Sequence, residues 1–263
     1  MHFSIIIINY NTKELTKNCI NSVFSNFNNN NFEIILVDNA SQDGSVEMLK
    51  DNFNERIKIV ANNENFGFGP ANNQGAKLAK GEYLFLLNSD TIIKSNILNE
   101  SEKFFSENKE AGIIAPKLFL GDGSEQPFAF GNFPKLFNVI IDKFKSSTPY
   151  LNEPFEVEWL SGAALIIRKK LFKQLGGFDE KFFMYFEDID LCKRVKEINY
   201  KVFVNPKISL THLCGKSPSI FTRRKKYYYD SQNYFYNKHY GNLIMNSMKL
   251  IRLPIRLFNL LLK

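Results

Sequence analysis

The run Phe3-Ser4-Ile5-Ile6-Ile7-Ile8 is the feature that most narrows what this chain can fold into. Consecutive isoleucines are stiff at χ1 and favour extended backbone, and a run this apolar has no face to present to water. A strand of that kind is buried on both sides, so the fold needs layers above and below it. Similar short runs recur at Phe32 to Val37, Ile57 to Ala61 and Tyr83 to Leu87. Between them Asn11 is placed to cap a helix, with Glu14 in the reciprocal position, and Pro70 to Lys80 reads as a helix of small residues. Strands that alternate with helices imply an α/β fold with a mostly parallel central sheet flanked by helices. Ligands of such sheets bind beyond the carboxyl ends of the strands. Three of the four runs end in polar residues there: Asn9, Asp38-Asn39 and Asn88-Ser89-Asp90.

The segment from Leu120 to Pro154 is rich in Gly, Pro and Phe and reads as an irregular excursion with a short helix. Regularity returns with a strand from Trp159 to Ile167 and a helix from Arg168 to Leu175, stopped by Gly176-Gly177. A helix containing Glu187 to Ile198 and a strand at Lys201 to Val204 follow, and Asn28 to Asn31 reads as a surface loop. The expected organisation is a catalytic domain over 1–215, with halves at about 1–115 and 116–215. An aromatic and basic helical segment covers 216–241, and an amphipathic tail covers 242–263.

With 44% hydrophobic and 23% charged residues, the 263-residue chain is not a disordered one. Its net charge of +7 favours anionic partners without choosing among them. The three cysteines, Cys19, Cys192 and Cys214, are far apart and form no CxxC pair, which suggests neither a zinc knuckle nor a disulfide framework. Free thiols fit a reducing compartment. The start lacks a basic region before its apolar run, and no stretch reaches the roughly 18 apolar residues of a membrane span. The expected location is cytoplasmic.

Four motifs carry candidate chemistry. Asp90, at a strand end, is placed to hold a divalent cation against a nucleotide diphosphate, or equally to cap the following turn. The stretch Asn62 to Gly75 offers Asn donors and glycines that admit a ligand close to backbone; its spacing is not that of a dinucleotide fingerprint, and a helix-packing connection is the plain alternative. Glu187 and Asp188 follow the aromatic run Phe182 to Phe186, where apolar rings raise a carboxyl pKa toward the range of a general base. On a helix Glu187 and Asp190 share a face while Asp188 points elsewhere, so one carboxylate acts alone. The plain alternative is an acidic first turn favoured by the helix dipole. His212 is either a ligand or a satisfied structural residue.

Taken in order, these blocks resemble glycosyltransferase family 2, especially its bacterial rhamnosyltransferase-like members, from about Phe3 to Gly241. The carriers are IIIINYN, VDNASQDGS, ENFGFGPANNQGAKLAKGEYLFLLNSDT, WLSGAALIIRKKLF, GGFDEKFFMYFEDIDLCKR and THLCGKS. The resemblance implies a GT-A fold with a helical C-terminal extension, and an inverting, non-processive hexosyltransferase of surface polysaccharide biosynthesis. It would move rhamnose or another hexose from a nucleotide-diphospho-sugar to a hydroxyl of a glycan or lipid-linked acceptor. Position by position, it implies that Asp38 contacts the donor base and that Asn9, Asn65, Gly67, Asn72 and Asn88 line the nucleotide pocket. Asp90 and His212 would hold Mg²⁺ or Mn²⁺. Trp159, Ser161 and Gly162 would lie beneath donor sugar and acceptor. Asp188 would be the general base, with Glu187 the second candidate. Asn88 stands where the family's metal motif usually begins with Asp, which keeps open a non-catalytic sugar-nucleotide-binding or scaffold role. A nucleotidyltransferase would carry a basic Gly-rich loop after the first strand, where Asn9-Tyr10-Asn11-Thr12 stands instead. A processive synthase would carry QxxRW, and the single Trp159 lies in EWLSG. No nucleic acid is expected among the partners; a homodimer is.

In the tail, Lys249, Arg252, Arg256 and Lys263 fall in one helical sector, and Ile244, Met248, Ile251, Ile255, Phe258 and Leu262 in another. That layout predicts an interfacial helix on an anionic membrane surface, at the inner face of the cell membrane, kinked at Pro254. Packing of the tail on the catalytic domain is the alternative.

Overall fold

A computed structural model describes residues 2–27, 31–134, 149–213 and 224–261, with side chains followed as far as Arg252. The isoleucine run forms β1 (Phe3–Asn9), and Ile5, Ile6 and Ile7 have no exposed surface. β1 pairs in parallel with β2 (Phe32–Asp38) on one side and β4 (Tyr83–Asn88) on the other, with Phe3 opposite Phe32 and Tyr83. β3 (Lys58–Ala61) extends this parallel half beyond β2.

Beyond β4 the sheet becomes mixed. β10 (Ala164–Arg168) runs antiparallel to β4 and to β6 (Ala111–Phe119), and β11 (Lys201–His212) runs parallel to β6. β5 (Thr91–Ile93) closes the order β3-β2-β1-β4-β10-β6-β11-β5, and β8 (Phe155–Val157) adds to β11. β7 (Phe130–Gly131) and β9 (Trp159–Leu160) form a separate small ribbon. The expected parallel sheet therefore holds for β3-β2-β1-β4 and gives way at β10. The expected strand from Trp159 to Ile167 is broken between β9 and β10, and the strand from Lys201 continues to His212 through an irregularity between Asn205 and Ser209. Pro206 lies in that irregularity, where its missing N–H interrupts no ladder bond.

The helices are α1 (Lys13–Asn26), α2 (Ser45–Phe53), α3 (Phe68–Leu78), α4 (Ile97–Glu107), α5 (Lys169–Gln174), α6 (Glu187–Glu197) and α7 (Arg224–Leu261). Asn11 is not the cap of α1. Thr12 holds the N-cap position, and Asn11, with φ 53°, accepts instead from the Gln42 N–H. The Thr12 hydroxyl is directed to Asn9, to which it donates, and makes no cap hydrogen bond to the helix end. α5 stops at Gly176 and Gly177, both near φ +76°, whose N–H groups return to the carbonyls of Lys173 and Phe172.

α7 breaks at Gly241 (φ 82°, ψ 169°), while the backbone at Pro254 stays helical. A left-handed φ is open to glycine without a Cβ clash, which lets the chain turn at Gly241, while Pro254 lies inside the following helical stretch at the loss of one backbone hydrogen bond. Beyond the break, Met248 and Arg252 face inward rather than toward a lipid surface. Arg252 donates to Gln232, Asn233 and the Met248 carbonyl and lies over the Tyr229 ring. Its planar donor fork finds four partners there, which separates it from Lys249 on the outer side. The readings on Asn28 to Asn30, on positions 135–148 of the Leu120–Pro154 excursion, on Cys214 and on 216–223 of the aromatic and basic segment lie outside the described residues. The side chains of Ile255, Arg256, Phe258, Leu262 and Lys263 do so as well.

α3 packs on β1 through its small residues: a Cβ on Gly75 would stand 2.5 Å from the Ile6 side chain. Gly75→Ala should therefore destabilise the fold by about 1–3 kcal/mol, the usual consequence of overfilling a packed core. A urea titration that leaves the midpoint unchanged would show that this layer yields without strain.

Candidate active site

The carboxyl ends of β1, β2 and β4 converge on an open cleft of about 200 Å³. It is lined by Tyr10 and Thr12 after β1, Asn39 after β2, Asn88, Ser89 and Asp90 after β4, and Asn65, Gly67 and Phe68 at the start of α3. Met184 and Tyr185 close the opposite wall. Of the residues expected at a donor pocket, the structure brings Asn65, Gly67, Asn88 and Asp90 to this cleft.

Asn9 and Asp38 lie beneath it. Asp38 is 1% exposed, and its carboxylate accepts from the Asn9 amide at 2.6 Å and from the Ser41 N–H at 2.8 Å. Asn9 in turn accepts from the hydroxyls of Thr12 and Thr16, each at 2.7 Å. The two side chains thus knit the strand ends together. Asn72, in α3, is fully buried; its amide donates to the Phe68 carbonyl, and its Oδ1 has no partner among the described residues.

Gly67 shows why this position excludes a side chain. Its φ of 93° is left-handed, and an added Cβ would collide with the Phe183 carbonyl, the acceptor for the Phe68 N–H at 3.1 Å. The nucleotide-side loop is thereby laid directly on the segment that leads into α6. Asn73 makes a second tie: its amide brackets Phe178, accepting from the N–H and donating to the carbonyl at 2.9 Å each, and also donates to Glu180.

Asp90 and His212 meet at the far end. The Asp90 carboxylate lies 3.1 Å from His212 Nε2, and His212 Nδ1 lies 2.8 Å from the Gln126 carbonyl oxygen. The Leu213 N–H also reaches the Asp90 carbonyl. No group of three or more His, Cys, Asp or Glu that could hold a metal ion is found among the described residues, so those residues offer the Asp90–His212 pair here.

The acidic turn of α6 sorts its carboxylates. Asp188 is half-buried; its Oδ2 accepts from the Gly162 N–H at 2.7 Å and its Oδ1 from the Ile189 N–H at 2.8 Å. Burial raises its pKa, and those two N–H groups oppose the rise. Glu187 is buried with Oε2 unpartnered, and burial, then the charge of Asp188, pushes its pKa up to about 8. Asp190 goes the other way. Burial alone would raise it, but His239, Arg194 and Lys238 hold it down at about 2.

Gly162 therefore sits under Asp188, as a backbone donor. Ser161 is fixed by its N–H to the Ala129 carbonyl, and Trp159 lies on Gly131 with its indole N–H on the Asn132 carbonyl at 2.9 Å. Sequence reasoning did not select Tyr10, Thr12, Asn39, Phe68, Met184 or Tyr185. The first three directly follow strand ends, a positional signal that was available. The other three reach the cleft only through the contact of α3 with the loop before α6.

A family model described as Glycosyl transferase family 2 matches residues 4–176, and one described as the N-terminal domain of galactosyltransferase matches residues 142–214. The chain is 27% identical over 203 residues to the N-acetylglucosaminyl-diphospho-decaprenol L-rhamnosyltransferase of Mycobacterium tuberculosis, covering 68% of this chain and 66% of that protein. It thus spans just under two thirds of that relative's length. Among solved structures, it is similar to S. aureus TarS 1-349 in complex with UDP (TM-score 0.63, 19% identity, 89% of this chain and 64% of that one). It is also similar to the mannosyltransferase PcManGT from Pyrobaculum calidifontis in complex with GDP-Man and Mn²⁺ (TM-score 0.64, 14% identity, 96% and 70%). At these identities the structural likeness establishes the GT-A fold.

The Glu187 carboxyl is neutral in the folded protein at a pH where the unfolded chain has already released the proton. Its raised pKa therefore makes the fold less stable as pH rises from the ordinary carboxylate range toward about 8, with no further loss above. Glu187→Gln should remove that slope and gain on the wild type most at pH 8.5. Urea midpoints at pH 5 and 8.5 that fall equally in both proteins would contradict the assignment.

Proposed function

The chain belongs to glycosyl transferase family 2, and from that premise we propose that it is an inverting glycosyltransferase whose general base is Asp188. The observation that carries the reading is the sorting of the acidic turn. Asp188 is half-exposed where its neighbours Glu187 and Asp190 are buried, is oriented by two backbone N–H groups, and is raised in basicity by burial.

The donor is a nucleotide-diphospho-sugar. Its nucleotide enters the cleft of Asn39, Asn65, Gly67 and Asn88, and its diphosphate lies toward Asp90 and His212. Asp38, Asn9 and Asn72 support that wall from below. An acceptor hydroxyl oxygen attacks the anomeric carbon from the side of Gly162 and Trp159. Asp188 takes the hydroxyl proton, the bond from the anomeric carbon to the diphosphate oxygen breaks, and the nucleoside diphosphate leaves from the opposite face with inversion. No covalent enzyme nucleophile takes part.

The Asp90–His212 pair fits a divalent cation that arrives with the donor. It offers one hard oxygen and one imidazole nitrogen, and the diphosphate oxygens and water complete the set. Mn²⁺ accepts such a mixed pair, and when bound it would offset negative charge on the departing diphosphate. Gln126, on the other ring nitrogen of His212, orients the imidazole. Rhamnose or another hexose is the sugar that the Mycobacterium tuberculosis relative suggests, and a glycan or lipid-linked glycan is the acceptor.

A second reading concerns the membrane surface. Leu243 and Leu250 are 80% and 70% exposed and, seven positions apart, share one face of α7 beyond Gly241, with the exposed Lys249 to one side. Together they form an apolar and basic strip suited to anionic headgroups. Co-sedimentation with vesicles of phosphatidylglycerol decides it: Leu243→Ser/Leu250→Ser should release the protein, and equal binding by wild type and variant would reject the reading.

Asp188→Asn should lower transfer by about 10²–10⁴-fold with donor affinity unchanged. It is read as nucleoside diphosphate released from UDP-GlcNAc, GDP-mannose and dTDP-rhamnose in the presence of acceptor glycans. A rate within tenfold of wild type would take the role from Asp188. Asp90→Ala should weaken binding of nucleoside diphosphate and of Mn²⁺ together in calorimetric titration. Unchanged affinity in excess Mn²⁺ would remove Asp90 from the diphosphate site.

A further inference from the structure

The loop from Asp179 to Asp190 carries Asp188 into place by an uncommon backbone path. Tyr185 (φ 71°) and Phe186 (φ 68°) are consecutive left-handed residues with large side chains. Each such residue costs of order 1–3 kcal/mol and persists only where its surroundings over-determine it. The surroundings here are the first half of α7, the aromatic segment whose purpose the sequence left open. Phe182 packs edge-on against Tyr234 with centroids at 4.8 Å, and Phe186 meets Tyr228 and Phe235 at 5.4 Å each. The Ser231 hydroxyl donates to the Met184 carbonyl at 2.8 Å.

The two ends of the loop are held by one cation. Lys238 Nζ lies 2.7 Å from Asp179 Oδ2 and 2.7 Å from Asp190 Oδ1. Tyr234 adds its hydroxyl to Asp179 at 2.9 Å, and His239 adds its Nε2 to Asp190 at 2.7 Å. Asp190 is fully buried and keeps Arg194 as a further partner. Among the described residues Lys238 is the group that reaches both Asp179 and Asp190, with its ammonium 5.8 Å from the centre of the Phe182 ring. Arg194 ties Asp190 to the Leu175 and Gly177 carbonyls just before the loop.

We propose that Lys238 is a positioning residue for Asp188: by bridging Asp179 and Asp190 it holds the loop in the left-handed path that seats Asp188 on the Gly162 N–H. The inference rests on Asp188 being the general base only for its catalytic consequence; the mechanical claim stands on the contacts. Lys238 touches neither the cleft nor Gly162, so an effect at Gly162 reports transmission through the loop. Loss of Lys238 leaves Asp190 with Arg194 and His239, which preserves the fold.

The test is amide hydrogen exchange on the full chain, comparing wild type, Lys238→Met and Lys238→Arg, with thermal unfolding run alongside. In Lys238→Met the amides of the 179–190 loop and the Gly162 amide should exchange about tenfold faster or more, while those of Ile5 to Ile7 in β1 keep wild-type protection. Lys238→Arg should restore most of the protection. Uniform acceleration, β1 included, would reduce Lys238 to a contributor to global stability and overturn the proposal. So would unchanged exchange at Gly162, even with a loosened loop. Should Lys238→Met not fold, Lys238→Gln is read by the same criteria. The reading of Asp188 as base fails separately, through persistent transfer by Asp188→Asn, whatever the exchange pattern.

Discussion

The left-handed pair Tyr185-Phe186 is the constraint on which the site depends. A chain that entered α6 in ordinary extended geometry would present a different face of the helix to the cleft, and Asp188 would not meet Gly162. Holding the pair requires packing from outside the sheet, and α7 supplies it with aromatic rings and with the Lys238 bridge. Phe68, beside the closely packed Gly67, and Asn73 complete the enclosure from the first half of the chain, because both hydrogen-bond backbone of the segment 178–183. The loop therefore touches the nucleotide-binding half and the C-terminal helix at once. A strained backbone enclosed on several sides is the usual condition of a preorganised site.

The strand ends answer a second constraint. Parallel strands terminate together, and their last peptide groups need partners where the ladder stops. The Asn9 and Asp38 carbonyls are met by the Asn39 and Asn62 N–H groups. The Asn9 and Asp38 side chains tie the strand ends through a hydrogen bond extended by Thr12, Thr16, Ser41 and Ser89. The same polar residues that mark the carboxyl end of a sheet in sequence are thus divided in space. Asn9 and Asp38 are consumed in securing the strands, Asn39 lines the cleft while held by Gly67 and Asn62, and Asn88 and Asp90 line the cleft beside it.

That division explains what could and could not be read from the residues. Burial of β1 followed from its isoleucines, and the parallel half of the sheet followed from the alternation of runs. The insertion of β10 antiparallel between β4 and β6 did not, because an apolar run states that it is buried and not which way it points. The α6 carboxylates were legible in part. Helical periodicity separated Asp188 from Glu187 and Asp190, and the structure places Asp188 toward Gly162 while the other two are buried. The aromatic segment Tyr227 to Tyr240 was visible as composition, but its partners lie more than forty positions earlier, and no local pattern encodes that contact. In the tail, Arg252 misled for a physical reason. A guanidinium on an amphipathic helix looks like a solvent or headgroup contact until two amide side chains, a carbonyl and an aromatic face are found to receive it.

Three acids within four residues would repel one another if all were charged and equally placed, and the arrangement around α6 resolves this by giving each a different compensation. Asp190 is surrounded by Arg194, Lys238 and His239 and stays ionised down to about pH 2, so its charge is spent inside the protein. Glu187 has neither cation nor full hydrogen bonding, and burial beside Asp188 keeps its proton on. With Glu187 protonated and Asp190 compensated, Asp188 is the member of the turn that stays half-exposed and is held by backbone N–H groups, which supports its proposed role as base. Environments that push neighbouring acids apart in this way assign their roles before any substrate arrives. Arg194 lies on α6 itself, but Lys238 and His239 belong to α7, so the element that packs on the loop also supplies two of the three groups that compensate Asp190.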